Sequence, residues 1–283
     1  MTTITDPREM QREADALRRA GRRIAVVPTM GALHDGHRAL IREAGRRADT
    51  VVVTLFVNPA QFGKGEDFER YPRNRDRDAA LAGESGADIL FAPDAAAMYG
   101  PGFQTYVSVE QIALPLEGAA RPGHFRGVAT IVAKLFIITS PHIAVFGQKD
   151  AQQVVLVRRL IRDLDFGIEL VVVPTVRESD GLALSSRNAY LTPEQRREAP
   201  VLYASLRRAE ELIAAGERSG DAVVQAMRAM IETRTRGVID YCSVADSESL
   251  QDLRRIPGGG TILLSLAVRF GATRLIDNIH VRT

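Results

Sequence analysis

Over roughly the first 175 residues, short and nearly continuous apolar runs alternate with longer stretches whose apolar positions recur every three to four residues. The runs at 24–27, 50–57, 88–92, 143–146 and 168–173 are rich in β-branched residues, the pattern of strands buried on both faces of a parallel sheet. Helical periodicity at 6–20, 38–48, 76–85, 128–139 and 151–164 separates most of them. That alternation predicts an α/β fold: a doubly wound parallel sheet. After Pro174 the pattern changes. Thr192-Pro193-Glu194 reads as an N-cap followed by proline at the first helical position, opening a helix to about residue 215. A second helix is predicted at 221–236, then strands at 238–244, 261–268 and 274–279, with Pro257-Gly258-Gly259-Gly260 as a turn. The chain therefore divides into residues 1–175, the doubly wound domain, and residues 176–283, a smaller C-terminal α+β domain.

Candidate chemistry gathers where predicted strands run into predicted helices. In VVPTMGALHDGH, residues 26–37, an apolar run crosses a Gly-containing loop and meets His34 and His37. A helix N-terminus offers unpaired N–H groups and the positive end of the dipole, which favour phosphate oxygens. Gly31 and Gly36 permit close backbone approach or positive φ. Two imidazoles can donate to charge that develops on phosphorus. The same spacing is also half of a zinc site, although five histidines and one cysteine supply few further ligands.

Other segments fit the same picture less specifically. VNPAQFG, 57–63, carries Gln61, an amide suited to a small polar substrate, or is simply a turn. RPGHFRG, 121–127, is either an anion-binding loop before a helix or a set of solvated charges, with His124 positioning the loop. In GQKDAQQ, 147–153, Lys149 can neutralise phosphate, Asp150 can accept from ribose hydroxyls and cap the helix, and Gln153 projects one turn on. LSSRN, 184–188, places two hydroxyls and a guanidinium in a loop able to close over a triphosphate.

Composition narrows the class. With 37 basic and 35 acidic residues the formal charge is +2, which argues against nucleic acid or a membrane surface as partner and makes any anion site local. Cys242 has no internal partner and lies in an apolar strand pattern, so it reads as a core residue of a protein kept in a reducing compartment. The N-terminal segment lacks the apolar core of a signal peptide, and no run is long enough to span a membrane. The expectation is a cytoplasmic protein.

Together, PTMGALHDGH, LFVNPAQF, YPR, RPGHFRGV, FGQKDAQQ, PTVRESDGLALSSRN and TRLIDNI resemble the signatures of the pantothenate synthetase (pantoate:β-alanine ligase) family, in order and over nearly the whole chain. The resemblance implies a Rossmann-like nucleotidyltransferase fold of the HxGH class with a smaller C-terminal lid domain, assembled as a homodimer. It implies ATP, pantoate and β-alanine as small-molecule substrates, with pantoate adenylylated first and the amine of β-alanine displacing AMP afterwards. On the family pattern Met30, Gly31, Ala32, Leu33, His34, Asp35, Gly36 and His37 line the ATP site. Gly147, Gln148, Lys149 and Asp150 surround ribose and phosphate, Val176 contacts adenine, and Leu184, Ser185, Ser186 and Arg187 form the mobile triphosphate loop. His34, His37 and Lys149 match the catalytic set, and Gln61 and Gln153 match the glutamines that hold pantoate. Mg2+ is implied as ATP's companion, carried by its phosphates and water; Asp76 and Asp78, after YPR, are expected on a solvated helix face, and no protein ligand is assigned. Two other readings stand beside this one: a nucleotidyltransferase of the same fold that stops at a nucleotide conjugate, and a nucleotide-binding regulator without turnover.

Overall fold

The structure is a computed structural model that describes residues 1–63 and 65–283. The chain forms two compact units, each assembled from separate stretches: Met1–Ala113, Arg121–Gly147 and Leu156–Pro174 make the first, and Leu114–Ala120, Gln148–Val155 and Thr175–Thr283 the second.

In the first unit lie β1 (Thr2–Ile4), α1 (Pro7–Arg19), β2 (Ile24–Thr29), α2 (Asp35–Gly45), β3 (Thr50–Leu55), α3 (Arg75–Glu84), β4 (Ile89–Phe91) and α4 (Ala95–Met98). The short helix α5 (Glu117–Ala120) falls in the second unit; the first resumes with α6 (His124–Thr139) and β5 (Ile143–Gly147). Helix α7 (Ala151–Asp163) begins in the second unit's stretch and ends in the first's, which closes with β6 (Glu169–Val173). Among the described residues the first unit holds a six-stranded, all-parallel sheet in the order β1-β4-β3-β2-β5-β6. Strand order reverses at β2, flanked by β3 on one side and β5 on the other. Open α/β sheets bind ligands beyond the carboxyl ends of their strands at such a point. Ile24, Ala25, Val26 and Val27 are fully buried, which is why this strand reads as an unbroken apolar run rather than an alternation.

Among the described residues, β1 is the one strand that the hydrophobic pattern does not disclose. It is three residues long at the sheet edge, and only Ile4 is buried, so it carries no apolar run. Two helices also start earlier than periodicity suggests: the first turn of α2, from Asp35, has no buried residue, and that of α6, from His124, sets the buried Phe125 among polar and glycine neighbours that interrupt the apolar pattern.

The second unit contains α8 (Pro193–Glu198), α9 (Val201–Ala214), α10 (Gly220–Arg234) and the antiparallel meander β7 (Val238–Asp246), β8 (Thr261–Phe270), β9 (Thr273–Arg282). The single helix expected over 193–215 is two: Pro200 lacks an N–H and its ring disfavours continuation, so α8 stops at Glu198 and the chain restarts with Pro200 at the N-cap of α9. Leu202, Leu206, Ile213, Met227 and Ile231 from α9 and α10 pack against Leu264, Leu266 and Val268 of β8. Cys242 on β7 packs at the edge of this core, and burial pushes its thiol up to about 11, so it is an inert apolar group. No helix among the described residues is long and apolar enough to cross a membrane.

Candidate active site

The loop after β2 is held by groups distant in sequence. Thr29 Oγ1 donates to the Thr54 carbonyl at 2.6 Å and accepts from Gly31 N at 3.3 Å. Gly31 has φ +88°, and a Cβ there would lie 2.9 Å from Leu55 Cδ1 and 3.0 Å from Asp78 Oδ2. Ala32 follows with φ +51°, a left-handed conformation that costs a non-glycine residue of order 1 kcal/mol. Asp78 holds it: this carboxylate, 2% exposed, accepts from Ala32 N at 2.9 Å and Leu33 N at 2.8 Å. Asp78 is therefore not on a solvated helix face, whereas Asp76 is exposed. The expectation for Asp78 fails because α3 turns that one residue inward beneath the loop, and the N–H groups of Ala32 and Leu33 serve the carboxylate.

The two histidines cap α2. His34 is the N-cap, and its Nδ1 accepts from Gly36 N at 3.1 Å; His37 Nδ1 accepts from His34 N at 3.2 Å. An accepting Nδ1 puts the ring proton on Nε2, so both imidazoles present Nε2–H as a donor. Their centroids are 4.2 Å apart. Gly36 is needed here for close approach: a Cβ would sit 2.8 Å from His34 Cε1 and 2.9 Å from Nδ1. Asp35 is exposed and meets Arg38 at 3.5 Å, and Met30 is half-buried.

Gln61 lies in a short 3₁₀ turn, Pro59–Gln61, just beyond β3, and is 8% exposed. Asn58 sets the direction of its amide. Asn58 Oδ1 accepts from Ala60 N at 3.2 Å and from Tyr99 Oη at 2.8 Å, while Nδ2 donates to the Gly127 carbonyl and to Gln61 Oε1, both at 3.1 Å. Burial holds the Tyr99 phenol up at about 12, so it remains a donor. With Oε1 occupied, Gln61 presents Nε2, 2.9 Å from Met30 Sδ beside the histidine loop. Its backbone carbonyl accepts from His124 Nδ1 at 2.8 Å; Arg121, which can only donate, lies 3.1 Å from His124 Nε2 and fixes that tautomer. Arg121 also pairs through two nitrogens with Glu66, at 2.7 and 2.6 Å. Burial raises the Glu66 carboxyl, but Arg121 outweighs it and leaves the group below its ordinary range. The RPGHFRG segment thus clamps Gln61, and α6 comes so near that a Cβ on Gly127 would lie 2.2 Å from the Ala60 carbonyl oxygen.

In the second unit Gln148–Asp150 forms a 3₁₀ turn ahead of α7, with Lys149 Nζ 3.7 Å from Asp150 Oδ1. Gln153 is half-buried on the first turn of α7; its neighbour Gln152 is buried, accepting from Glu117 N at 3.0 Å and donating to the Pro115 carbonyl at 2.8 Å. Val176 and Leu184 pair across a hairpin through Leu184 N and the Val176 carbonyl at 2.9 Å. Ser185 caps the 3₁₀ turn Ser186–Tyr190 by accepting from Arg187 N at 3.2 Å. Asn188 ties that turn down, donating to Glu178 Oε1 and the Ala183 carbonyl.

Within the first unit, then, Met30 to His37 and Gln61 form one group at the strand-order reversal, with Gly147 at the end of β5; within the second, Gln148 to Asp150 and Gln153 form one group and Val176 with Leu184 to Arg187 another. Among the described residues no cluster of three histidine, cysteine or acidic side chains could hold a metal ion. Sequence reasoning missed Asn58 and reversed Asp78. The only available signal was position: Asn58 stands three residues before Gln61, and Asp78 two after Asp76.

The family model for pantoate-beta-alanine ligase matches residues 2–280. The chain is 57% identical to pantothenate synthetase of Roseiflexus sp. (strain RS-1), covering 89% of this chain and 90% of that protein, and 51% identical to that of Chlorobium luteolum over the whole of both. The crystal structure of pantothenate synthetase from Thermus thermophilus superposes with a TM-score of 0.92 at 47% identity over 99% of each chain. A Francisella tularensis pantoate-beta-alanine ligase, crystallised with beta-gamma ATP and beta-alanine, gives a TM-score of 0.79 at 31% identity, over 99% of this chain and 97% of that one.

Proposed function

The chain belongs to the pantoate-beta-alanine ligase family and joins pantoate to β-alanine, and from that premise we propose that it spends ATP through a pantoyl adenylate, with His34, His37, Lys149 and Gln61 in the leading roles. A pantoate carboxylate oxygen attacks the α-phosphorus and pyrophosphate leaves; the β-alanine amine then attacks the acyl carbon and AMP leaves. Carboxylate and phosphate are both anions, so the first step is a problem of positioning and of stabilising charge. The observation that carries this reading is polarity. His34 Nε2–H, His37 Nε2–H and the Gln61 amide are all donors, each fixed by a partner at its other end, which suits anionic oxygens and would repel a cationic ligand.

In this reading the imidazoles donate to ATP phosphate oxygens, Lys149 neutralises the charge that builds on phosphorus, and Gln61 and Gln153 hold pantoate. Gly147 to Asp150 surround the ribose and phosphates, Val176 meets adenine, and Leu184 to Arg187 cover the triphosphate. Mg2+, which would neutralise phosphate charge, would be held by the nucleotide's own phosphates and water, because Asp78 is already engaged by Ala32 and Leu33 and a protein-bound ion would have to take a carboxylate that the loop requires. In this reading the protein works in the cytoplasm as a homodimer; sedimentation of the purified protein checks the dimer, and cell fractionation the compartment.

The test is isotope exchange of pyrophosphate into ATP that requires pantoate, followed by AMP release only when β-alanine is added. Exchange that requires an acceptor, with no AMP released when β-alanine is added, would favour an enzyme that stops at a nucleotide conjugate. In the same assay His37→Ala and Lys149→Ala should slow adenylate formation by about 100-fold or more while ATP affinity changes little. Gln61→Ala should raise the KM for pantoate and leave that for ATP in place.

A further inference from the structure

The 3₁₀ turn Gln148–Asp150 runs from the end of β5 directly into α7, and a third element grips its first two carbonyls from the side. The grip is Asn278 on β9, 3% exposed. Its Nδ2 donates to the Gln148 carbonyl at 3.1 Å and the Lys149 carbonyl at 2.8 Å, and its Oδ1 accepts from Gln148 Nε2 at 3.1 Å. Carbonyls only accept, so the amide cannot be turned round. Asp277 beside it, also 3% exposed, takes both terminal nitrogens of Arg177, at 2.6 and 2.9 Å. Arg177 in turn donates to the Gly181 carbonyl at 3.1 Å, inside the hairpin that leads to Ser185–Arg187. Successive residues on a strand face opposite ways, so one dipeptide serves two segments. Pairing with β8 along the whole of β9, with Asn278 opposite Ser265 and Asp277 opposite Leu266, gives the dipeptide a fixed base.

We propose that Asn278 is a positioning residue for the adenylation step, setting the backbone of Gln148 and Lys149 and thereby the direction in which the Lys149 ammonium leaves its turn. This rests on the reading of Lys149 as the cation that meets phosphate. Asn278 touches no reacting atom; its effect passes entirely through the turn.

The test is a double-mutant cycle in the pantoate-dependent exchange assay on the full chain. Asn278→Asp keeps the shape but replaces both donors with an oxygen facing two carbonyls. It should lower the exchange rate about 30-fold, in line with the steep cost of a misplacement near 1 Å, and leave the KM for pantoate within about twofold. In the Lys149→Ala background the same change should cost less than about twofold, because there is no ammonium left to aim. Equal losses in both backgrounds, or no loss in either, would overturn the proposal and leave Asn278 a structural residue. If Lys149→Ala alone leaves exchange intact, the reading of Lys149 falls, and the proposal with it; that failure is visible in the single variant. Should Asn278→Asp not fold, as judged by its thermal melt, Asn278→Ala goes through the same cycle under the same criteria.

Discussion

Gly36 shows how one hydrogen atom in place of a methyl group decides the chemistry of a neighbour. The His34 ring lies against its α-carbon, so Gly36→Ala pushes the imidazole off its cap. If His34 donates to phosphate as proposed, adenylate formation should fall by about 100-fold with its displacement by some tenths of an ångström to 1 Å, while the melting temperature stays close to that of the parent. Rapid-quench measurement of the adenylate checks it. Glu66 makes a second prediction at this scale. Its carboxyl sits below the ordinary range because Arg121 outweighs burial, so the pair's contribution to stability is complete above the unfolded value near 4.5 and is lost as pH falls through the folded value. Glu66→Gln should therefore cost about 1 kcal/mol at neutral pH and nothing in strong acid. Urea titrations at pH 7 and pH 3 that show the same difference between the two proteins would contradict it.

At the scale of elements, the first unit's part of the candidate site is built where α3 and α6 touch the loops that follow β2 and β3. Asp78 reaches up from α3 to two loop N–H groups, and its replacement by asparagine turns an NH2 toward at least one of them. Asp78→Asn should destabilise the protein by about 1–3 kcal/mol and slow adenylylation, and raising the Mg2+ concentration should not restore the rate. Restoration by Mg2+ would make Asp78 a metal ligand instead. Gly127 on α6 is the contact that lets the Gln61 turn sit against the helix. Gly127→Ala forces the two apart, and the KM for pantoate should rise by more than tenfold with the KM for ATP little changed. In the second unit, the hairpin from Val176 to Leu184 and the turn that follows are anchored by Asn188 and by Arg177, which leaves Ser185 to Arg187 between fixed points. With ATP present the segment 182–188 should resist limited proteolysis more than without it; unchanged cleavage would argue against closure over the nucleotide.

For the whole molecule, local order was legible because it is written locally. Unbroken apolar runs gave the central strands, polar punctuation gave the loops, and the residue types at strand ends gave a list of phosphate-seeking groups that includes His34, His37 and Lys149. Edges were less legible: β1 has a single buried residue, and the break is marked by Pro200 alone, in a sequence that is helical on both sides. Strand order could not be read at all, since parallel neighbours are joined by long crossovers, and only the folded sheet shows that β2 lies at the reversal. By itself, then, the sequence determined which chemical groups this protein carries and on which loops, because side-chain identity and periodicity are properties of the chain. Tertiary structure decided which way those groups point. The donor face of Gln61 is chosen by Asn58 and Tyr99, the loop that carries His34 is braced at Ala32 by Asp78, 46 positions along, and the turn that carries Lys149 is gripped by Asn278, 129 positions along. A hydrogen bond requires contact at about 3 Å, and no reading of one segment contains a partner that only folding brings near.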